Sequence, residues 1–388
     1  MVNPFKDPVF VTRPLLPPMH SVHKRLQQIW ESKWLTNIGA QHQELEEQLG
    51  KYLQARHLAL FNNGTLALLI GLKALGLTGE AITTPFTFPA TVQALDWAWL
   101  RPVFCDIDPD TLNIDVQKIE GLITTETTAI LGVHVFGSPC PAETIDALAA
   151  AYGLKVIYDG AHAFQSRYQG RPISAFGDMT MFSFHATKLF NTVEGGALVV
   201  KDGSLLPTIN MLKNFGIAGS EEVVLSGINA KMNEVQAGIG LEVLKMVAGE
   251  REKRKEIKKT YIKNLAAVPG IRFINDDISD ENSFQYLVIA IDQELFGWSR
   301  DAVHEELKNY NVFTRKYFYP LCSNFPWYRS LPSTAPELLP VANQLAEQVL
   351  SLPFYGGLGV AGAQTICGIL RRLCRNPYLK QHPVNQKP

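Results

Sequence analysis

A lysine and an aspartate each follow an apolar run that is typical of a buried β-strand. Asp159 comes directly after residues 154–158, and Lys188 comes shortly after residues 180–184. Open α/β sheets bind ligands at the carboxyl ends of their strands, so we expect the two side chains to meet there. A lysine held near apolar walls and another positive charge has a lowered pKa and can form a Schiff base with a carbonyl group. Taken alone, Asp159 is typical of a turn or helix cap, and Lys188 of a solvated surface.

As a pair, these residue types suit pyridoxal 5'-phosphate (PLP), because its aldehyde needs a lysine and its ring nitrogen needs a carboxylate. Its phosphate needs backbone donors at a helix N-terminus, which Gly64 and Thr65 supply just ahead of an apolar helix. Ser183 adds a hydroxyl group, and Phe88 lies in an aromatic segment that offers the ring a flat apolar neighbour. Each signal is weak alone, but their order and spacing favour a PLP site.

Alternating strands and helices are expected to position these residues. The predicted strands are residues 129–135, 155–158, 180–184 and 197–200, and the predicted helices are residues 44–55, 66–77 and 142–152. This alternation predicts an α/β fold with a mostly parallel central sheet that helices cover on both faces.

The composition changes near residue 250, where residues 250–263 carry a dense mixture of both charge signs that is typical of a solvated helix. A strand at residues 284–291 and helices at residues 300–310 and 364–374 are expected beyond it. We therefore predict a large domain over residues 1–248, which includes the N-terminal segment, and a smaller α+β domain over residues 249–388.

Composition excludes several classes of protein. The 388 residues include 36 Lys+Arg and 37 Asp+Glu, which argues against a broad nucleic-acid surface or a polybasic membrane patch. No apolar run is long enough to span a membrane, and the N-terminus has no signal core. The five cysteines form no Cys-x-x-Cys pair, so they indicate reduced cytoplasmic thiols and no metal site. Residues 357–362 match G-x-G-x-x-G but lack the acidic residue of a dinucleotide site, so we expect a flexible turn.

The segment around Lys188 reads S-F-H-A-T-K from Ser183 and is followed by E-G-G from Glu194. It resembles the sugar-nucleotide aminotransferases of the DegT/DnrJ/StrS type, a branch of the fold-type I PLP enzymes, and the resemblance runs roughly over residues 30–370. It implies an aspartate-aminotransferase-like fold and a PLP cofactor that alternates with pyridoxamine phosphate (PMP). It further implies that Lys188 forms the Schiff base and moves the substrate proton, and that Asp159 pairs with the pyridine nitrogen.

The same resemblance assigns further contacts to the cofactor. His162 matches a residue beside the ring, although a bare histidine at this point is typical of a structural role. Phe88 matches the aromatic side chain that stacks on the ring, and Gly64, Thr65 and Ser183 match the phosphate contacts.

A second segment, residues 227–237, resembles the family pattern G-x-N-Y-R-M-x-E-x-Q-A. In relatives its asparagine reaches the phosphate in the neighbouring subunit, which implies that Asn229 does so here and that a homodimer shares its active sites. The chain has Ala230 and Lys231 in place of Tyr-Arg. This change leaves open whether Lys231 still holds the substrate diphosphate.

Four segments, residues 32–37, 60–69, 190–196 and 313–320, resemble the transaminases that make dTDP-4-amino-4,6-dideoxyglucose. The expected reaction moves the amino group of L-glutamate to dTDP-4-keto-6-deoxyglucose. Tyr317 or Tyr319 is a candidate sugar-nucleotide contact, with domain packing as the equal alternative. His185 is a candidate sugar contact or a structural histidine.

Three other activities stay open. They are amination of the 3-keto isomer or of a UDP-linked keto sugar, the dehydratase branch of the family, and a PLP-binding regulator without turnover. Lys188 argues against the dehydratase branch, in which histidine replaces the lysine. A regulator could lose Asp159 or Asn229 without penalty, and both are present.

Overall fold

The computed structural model describes residues 3–375. Within them the strands are β1 (Val9–Phe10), β2 (Leu58–Phe61), β3 (Glu80–Thr83), β4 (Arg101–Phe104), β5 (Thr127–Val133), β6 (Lys155–Asp159), β7 (Arg167–Tyr168), β8 (Arg171–Pro172), β9 (Met179–Ser183), β10 (Gly196–Val200), β11 (Ile217–Gly219), β12 (Glu222–Val223), β13 (Ile271–Ile274), β14 (Leu287–Ile291), β15 (Val312–Phe313) and β16 (Val349–Leu352). The α-helices are α1 (Met19–Ser32), α2 (Ala40–Tyr52), α3 (Gly64–Ala74), α4 (Pro89–Trp97), α5 (Val116–Ile119), α6 (Ala142–Tyr152), α7 (Leu206–Leu212), α8 (Glu234–Leu244), α9 (Val247–Leu265), α10 (Gln293–Phe296), α11 (Arg300–Lys308), α12 (Pro340–Ala346) and α13 (Gly359–Arg375).

A seven-stranded sheet in the order β2-β10-β9-β6-β5-β3-β4 forms the centre of the fold. Strand β10 is antiparallel to both of its neighbours, and the other pairs are parallel. The prediction of a mostly parallel sheet is confirmed. Its carboxyl edge is the place where Asp159 and the segment after β9 emerge.

Helices cover both faces of this sheet. Successive side chains of a strand point to opposite faces, so each strand packs against helices on both sides. Ile157 of β6 packs with Leu68 of α3 on one face. Its neighbours Val156 and Tyr158 pack with Ile145 of α6 on the other face. Strands buried on both faces explain the continuous apolar runs of the sequence.

The chain beyond α8 builds a three-stranded antiparallel sheet in the order β13-β14-β16. Its inner side packs with Tyr261 of α9 and Ile366 of α13 in a separate apolar cluster. The N-terminal strand β1 pairs with β15 in this part of the molecule. The division into domains at residue 248 stays a prediction, and residues 376–388 of the predicted second domain lie outside the described range.

Three predicted boundaries shift for physical reasons. Helix α2 begins at Ala40 because the Glu234 carboxylate accepts hydrogen bonds from the backbone N–H groups of Gln41 and His42. Strand β14 begins at Leu287 because Phe284, with φ 54, interrupts the extended backbone. The flexible turn predicted for residues 357–362 was wrong from Gly359 onward, where α13 begins and packs on α9.

Within the described part of the chain, no helix combines the length and the apolar character that crossing a membrane requires.

Candidate active site

Asp159 and Lys188 meet at the carboxyl edge of the central sheet, as the sequence predicts. Asp159 ends β6, which lies parallel to β9, and Lys188 belongs to the loop that follows β9. Asp159 is 5% exposed and Lys188 is partly buried. The two groups are near enough that the negative charge of Asp159 raises the pKa of Lys188 against the effect of burial.

The Asp159 carboxylate is held in one orientation by two donors. Its Oδ2 accepts a 2.6 Å hydrogen bond from the hydroxyl of Thr91, and its Oδ1 accepts a 2.9 Å bond from the backbone N–H of Ala161. The Thr91 hydroxyl also lies 2.7 Å from the hydroxyl of Thr87. Burial raises the pKa of Asp159, while Thr91, Ala161 and the charge of Lys188 act to lower it. These donors support the charged form that a protonated ring nitrogen requires.

The Lys188 amine has a pKa that burial lowers from 10.5 to about 8, with the charges of Tyr317 and Asp159 opposing the shift. Its Nζ lies 5.8 Å from the centre of the Tyr286 ring. Because its pKa is lowered, this lysine loses its proton more readily than an ordinary one, which favours it as a nucleophile and as a carrier of protons.

Gly64 and Ser183 lie against each other where α3 begins beside the sheet. A Cβ atom at Gly64 would approach the Ser183 Cβ to 3.0 Å, and one at Gly196 would approach the Asn63 carbonyl oxygen to 2.7 Å. The two glycines therefore let the first turn of α3 close onto the sheet edge. The Asn63 side chain accepts a 2.8 Å bond from the N–H of Leu66. The earlier N–H groups, those of Gly64 and Thr65, have no acceptor within the helix and suit an anion.

His162 belongs to a stack of rings. Its ring is parallel to those of Phe136 and Phe318, at 6.1 Å and 5.8 Å between centres, and meets the edge of Tyr286 at 4.9 Å. Burial lowers the pKa of His162 well below 6.5, so the imidazole is neutral. Its Nδ1 is buried without a hydrogen-bond partner in the described structure, and this leaves a polar atom for a ligand.

Phe88 and Tyr317 line a cavity of about 350 Å³ next to this stack. Phe88 is 55% exposed and precedes α4, the helix that carries Thr91. Tyr317 lies edge-on to Tyr286, and burial raises its pKa to about 12. Tyr319 also lines the cavity, and the Lys316 ammonium lies 5.2 Å from its ring centre.

Asn229 and Lys231 form a separate group. The Lys231 ammonium donates to Asn229 Oδ1 at 2.9 Å and to Asn214 Oδ1 at 2.7 Å, and it lies 5.1 Å from the Phe215 ring centre. Among residues 3–375, no hydrogen bond or ion pair joins Asn229 or Lys231 to Lys188.

His185 is exposed and lies on the same loop as Lys188. Its Nδ1 shares a 2.8 Å hydrogen bond with Thr187, and its Nε2 lies 3.6 Å from the Glu194 carboxylate.

Sequence reasoning missed Thr91, Gln285 and Tyr286. Thr91 lies one helical turn after Phe88, in the aromatic segment already considered, so its helical spacing from Phe88 was an available signal. Gln285 and Tyr286 approach Lys188 only through the tertiary fold, and no local pattern points to them.

The family model described as the DegT/DnrJ/EryC1/StrS aminotransferase family matches residues 20–371. The chain belongs to this family. A dTDP-4-amino-4,6-dideoxy-D-glucose transaminase of Escherichia coli is 46% identical over 351 residues, which cover 90% of this chain and 94% of that protein. The crystal structure of DesI, solved in the presence of its TDP-sugar product, is 37% identical, with a TM-score of 0.92 and coverage of 98% of this chain and 96% of that one. NtdA of Bacillus subtilis, solved with bound cofactor PMP, is 27% identical, with a TM-score of 0.83 and coverage of 92% and 82%.

As a member of this family the chain is a PLP-dependent aminotransferase of fold-type I. The residues present fit that cofactor. They supply the buried carboxylate of Asp159, the Lys188 amine with its lowered pKa and the unpartnered Nδ1 of His162. They also supply a helix N-terminus, at α3, where glycines leave the backbone N–H groups accessible. When bound, PLP supplies an aldehyde that exchanges amino groups and a ring that accepts an electron pair.

Proposed function

We propose that this aminotransferase moves the amino group of L-glutamate to C4 of dTDP-4-keto-6-deoxyglucose and so forms dTDP-4-amino-4,6-dideoxyglucose. The observation that carries the proposal is the 46% identity to the Escherichia coli transaminase over nearly the whole length of both chains. The solved relative DesI, which was crystallised with a TDP-sugar product, supports a sugar nucleotide as the acceptor.

Within the site we assign the chemistry to Lys188 and Asp159. Lys188 would hold bound PLP through its Nζ, and once the donor substrate displaces it, the neutral amine would accept and give back a proton at that atom. The Asp159 carboxylate, oriented by Thr91 and Ala161, would pair with the ring nitrogen of bound PLP and favour its protonated form.

We assign the remaining cofactor contacts by their placement. Gly64, Thr65 and Ser183 bind the phosphate where α3 meets the sheet. Phe88 would pack on one side of the PLP ring, and His162, whose imidazole is parallel to the Phe318 ring, would lie beside it.

The sugar nucleotide is assigned to the cavity of about 350 Å³ that Tyr317 and Tyr319 line. Arg315 and Lys316 belong to the same lining and would attract a diphosphate. His185, exposed beside Lys188, is the candidate contact to the sugar ring.

We further propose a homodimer in which Asn229 reaches the phosphate in the partner subunit and Lys231 reaches the substrate diphosphate. Two observations support it: their separation from the hydrogen bonds around Lys188, and the exposed large apolar side chains nearby, which are Phe215, Ile217, Val223, Val224 and Ile228. A cytoplasmic location is proposed from the buried free thiols of Cys105, Cys140, Cys322 and Cys367.

The test is turnover of the purified protein with L-glutamate and dTDP-4-keto-6-deoxyglucose, followed by NMR of the product, with Lys188→Ala as the control. An amino group at C4 is the expected result. Turnover of only the 3-keto isomer or of only a UDP-linked sugar would replace the substrate assignment. Bound PLP without turnover of any keto sugar would favour the regulator.

A further inference from the structure

The backbone on both sides of Lys188 is held by one buried side chain from a distant part of the sequence. Gln285 is 2% exposed. Its Oε1 accepts a 2.7 Å hydrogen bond from the N–H of Leu189, and its Nε2 donates a 3.0 Å bond to the carbonyl oxygen of Thr187. The amide thus uses both its acceptor and a donor on the two peptide groups that flank the lysine.

This bridge adds to the contacts that hold the loop around Lys188. The loop runs between the end of β9 and the start of β10, with the Leu189 side chain buried in the core. At Lys188 itself the backbone forms a turn, in which the Lys188 N–H donates to the His185 carbonyl at 2.8 Å. A lysine side chain has a flexible four-carbon stem, so the position of Nζ depends on where the Cα atom is fixed. Gln285 fixes that point through the peptide groups before and after Lys188.

The segment that carries Gln285 is itself rigid. The Gln285 N–H lies 3.2 Å from the Ser283 hydroxyl, and the Phe284 carbonyl accepts a bond from the buried Arg254 guanidinium. The next residue, Tyr286, places its ring 5.8 Å from the Lys188 Nζ. One dipeptide therefore contacts both the backbone and the amine end of the lysine.

We propose that Gln285 is a positioning residue for Lys188, which holds the lysine backbone where the amine can reach the cofactor aldehyde and the substrate Cα in turn. The inference rests on the proposed role of Lys188. Because both hydrogen bonds to the Lys188 loop are to main-chain groups, they depend on the Gln285 side chain and not on the side chains of residues 187 and 189. Asparagine is one methylene shorter and cannot span the same two peptide groups, and glutamate lacks the donor for Thr187.

The test uses Gln285→Leu, which keeps the size but removes both hydrogen bonds, and Gln285→Glu, which keeps the acceptor for Leu189. The first readout is the rate at which cofactor-free protein attaches PLP at Lys188, trapped by borohydride and located by peptide mass spectrometry. The second is the split between kcat and KM for L-glutamate. Asn343→Leu is the matched control, because the Asn343 amide donates to a main-chain carbonyl, that of Leu339 at the start of α12, away from the Lys188 loop.

Gln285→Leu is expected to slow both attachment and kcat by about 10- to 100-fold with little change in KM, since misplacement by about 1 Å has this effect on catalysis. The attachment rate and kcat of Gln285→Glu are expected to lie between those of Gln285→Leu and the wild type. This variant provides the test if Gln285→Leu does not fold. Unchanged attachment and kcat in a folded variant would overturn the proposal. Loss of thermal stability in Gln285→Leu with an unchanged rate of attachment would also overturn it. Failure of the wild type to attach PLP at Lys188 would instead reject the proposed role of Lys188.

Discussion

Replacing Thr91 by valine should destabilise the ionised carboxylate of Asp159, while the side chain at position 91 keeps almost the same shape. The Thr91 hydroxyl donates a 2.6 Å hydrogen bond to Asp159 Oδ2. Thr91 is 0% exposed and Asp159 is 5% exposed, so water cannot easily replace the lost donor. A hydrogen bond to a charged group contributes about 1.5–3 kcal/mol.

The direction of the effect follows from the same geometry. Burial already raises the pKa of Asp159, and the Thr91 hydrogen bond opposes that rise, so Thr91→Val shifts the pKa further upward. A carboxylate that takes up a proton more readily supports a protonated ring nitrogen less well. If the whole hydrogen-bond contribution is lost in the transition state, kcat falls by roughly 10- to 150-fold.

The assay compares kcat for the transfer from L-glutamate and the pH dependence of the visible absorbance of bound cofactor in four proteins. These are the wild type, Thr91→Val, Thr91→Ser and Thr87→Val. Thr91→Ser keeps the donor and should recover most of the rate. Thr87→Val leaves the direct bond to Asp159 in place and should have a smaller effect. A Thr91→Val protein with the kcat and pH profile of the wild type would refute this account of Asp159.

Three further predictions follow from the site. Asp159→Asn keeps groups for the neighbouring hydrogen bonds but loses the charge, so kcat should fall on the order of 100-fold or more without a loss of melting temperature; an unchanged kcat would reduce Asp159 to a turn residue. Because the Lys188 amine with a pKa of about 8 is protonated below that pH and neutral above it, PLP attachment should accelerate through pH 8, and a midpoint near the ordinary 10.5 would contradict this. Gly196→Ala places a Cβ 2.7 Å from the Asn63 carbonyl and should cost about 1–3 kcal/mol of unfolding free energy together with PLP affinity. The control is Gly249→Ala on α9, where the added Cβ atom meets no other atom. It should raise the free energy of unfolding by about 0.5–1 kcal/mol, and urea unfolding of both variants would measure the two changes.

Local sequence patterns predicted the central sheet well because its strands are buried on both faces. The predicted strand at residues 155–158 differs from β6 by one residue, and the predicted helix at residues 142–152 coincides with α6. The position of Asp159 followed directly, since the end of a parallel strand is also the ligand-binding edge of the sheet.

The parts that escaped prediction depend on contacts between distant residues. The start of α2 is set by Glu234, and the geometry of Lys188 by Gln285, neither of which is local in sequence. Thr91 was closer to hand, but its hydrogen bond to Asp159 requires α4 to pack beside the end of β6. Sequence patterns therefore indicated Lys188 and Asp159 as candidate reacting groups and missed most of the side chains that hold them in place.

The most direct measurement follows the visible absorbance of the purified holoprotein through two half-reactions without turnover. Adding L-glutamate alone should remove the absorbance of the lysine-bound cofactor, and adding dTDP-4-keto-6-deoxyglucose afterwards should restore it. A protein whose absorbance ignores L-glutamate would contradict transamination at Lys188. If L-glutamate removes the absorbance and no keto sugar nucleotide restores it, the proposed acceptor is contradicted.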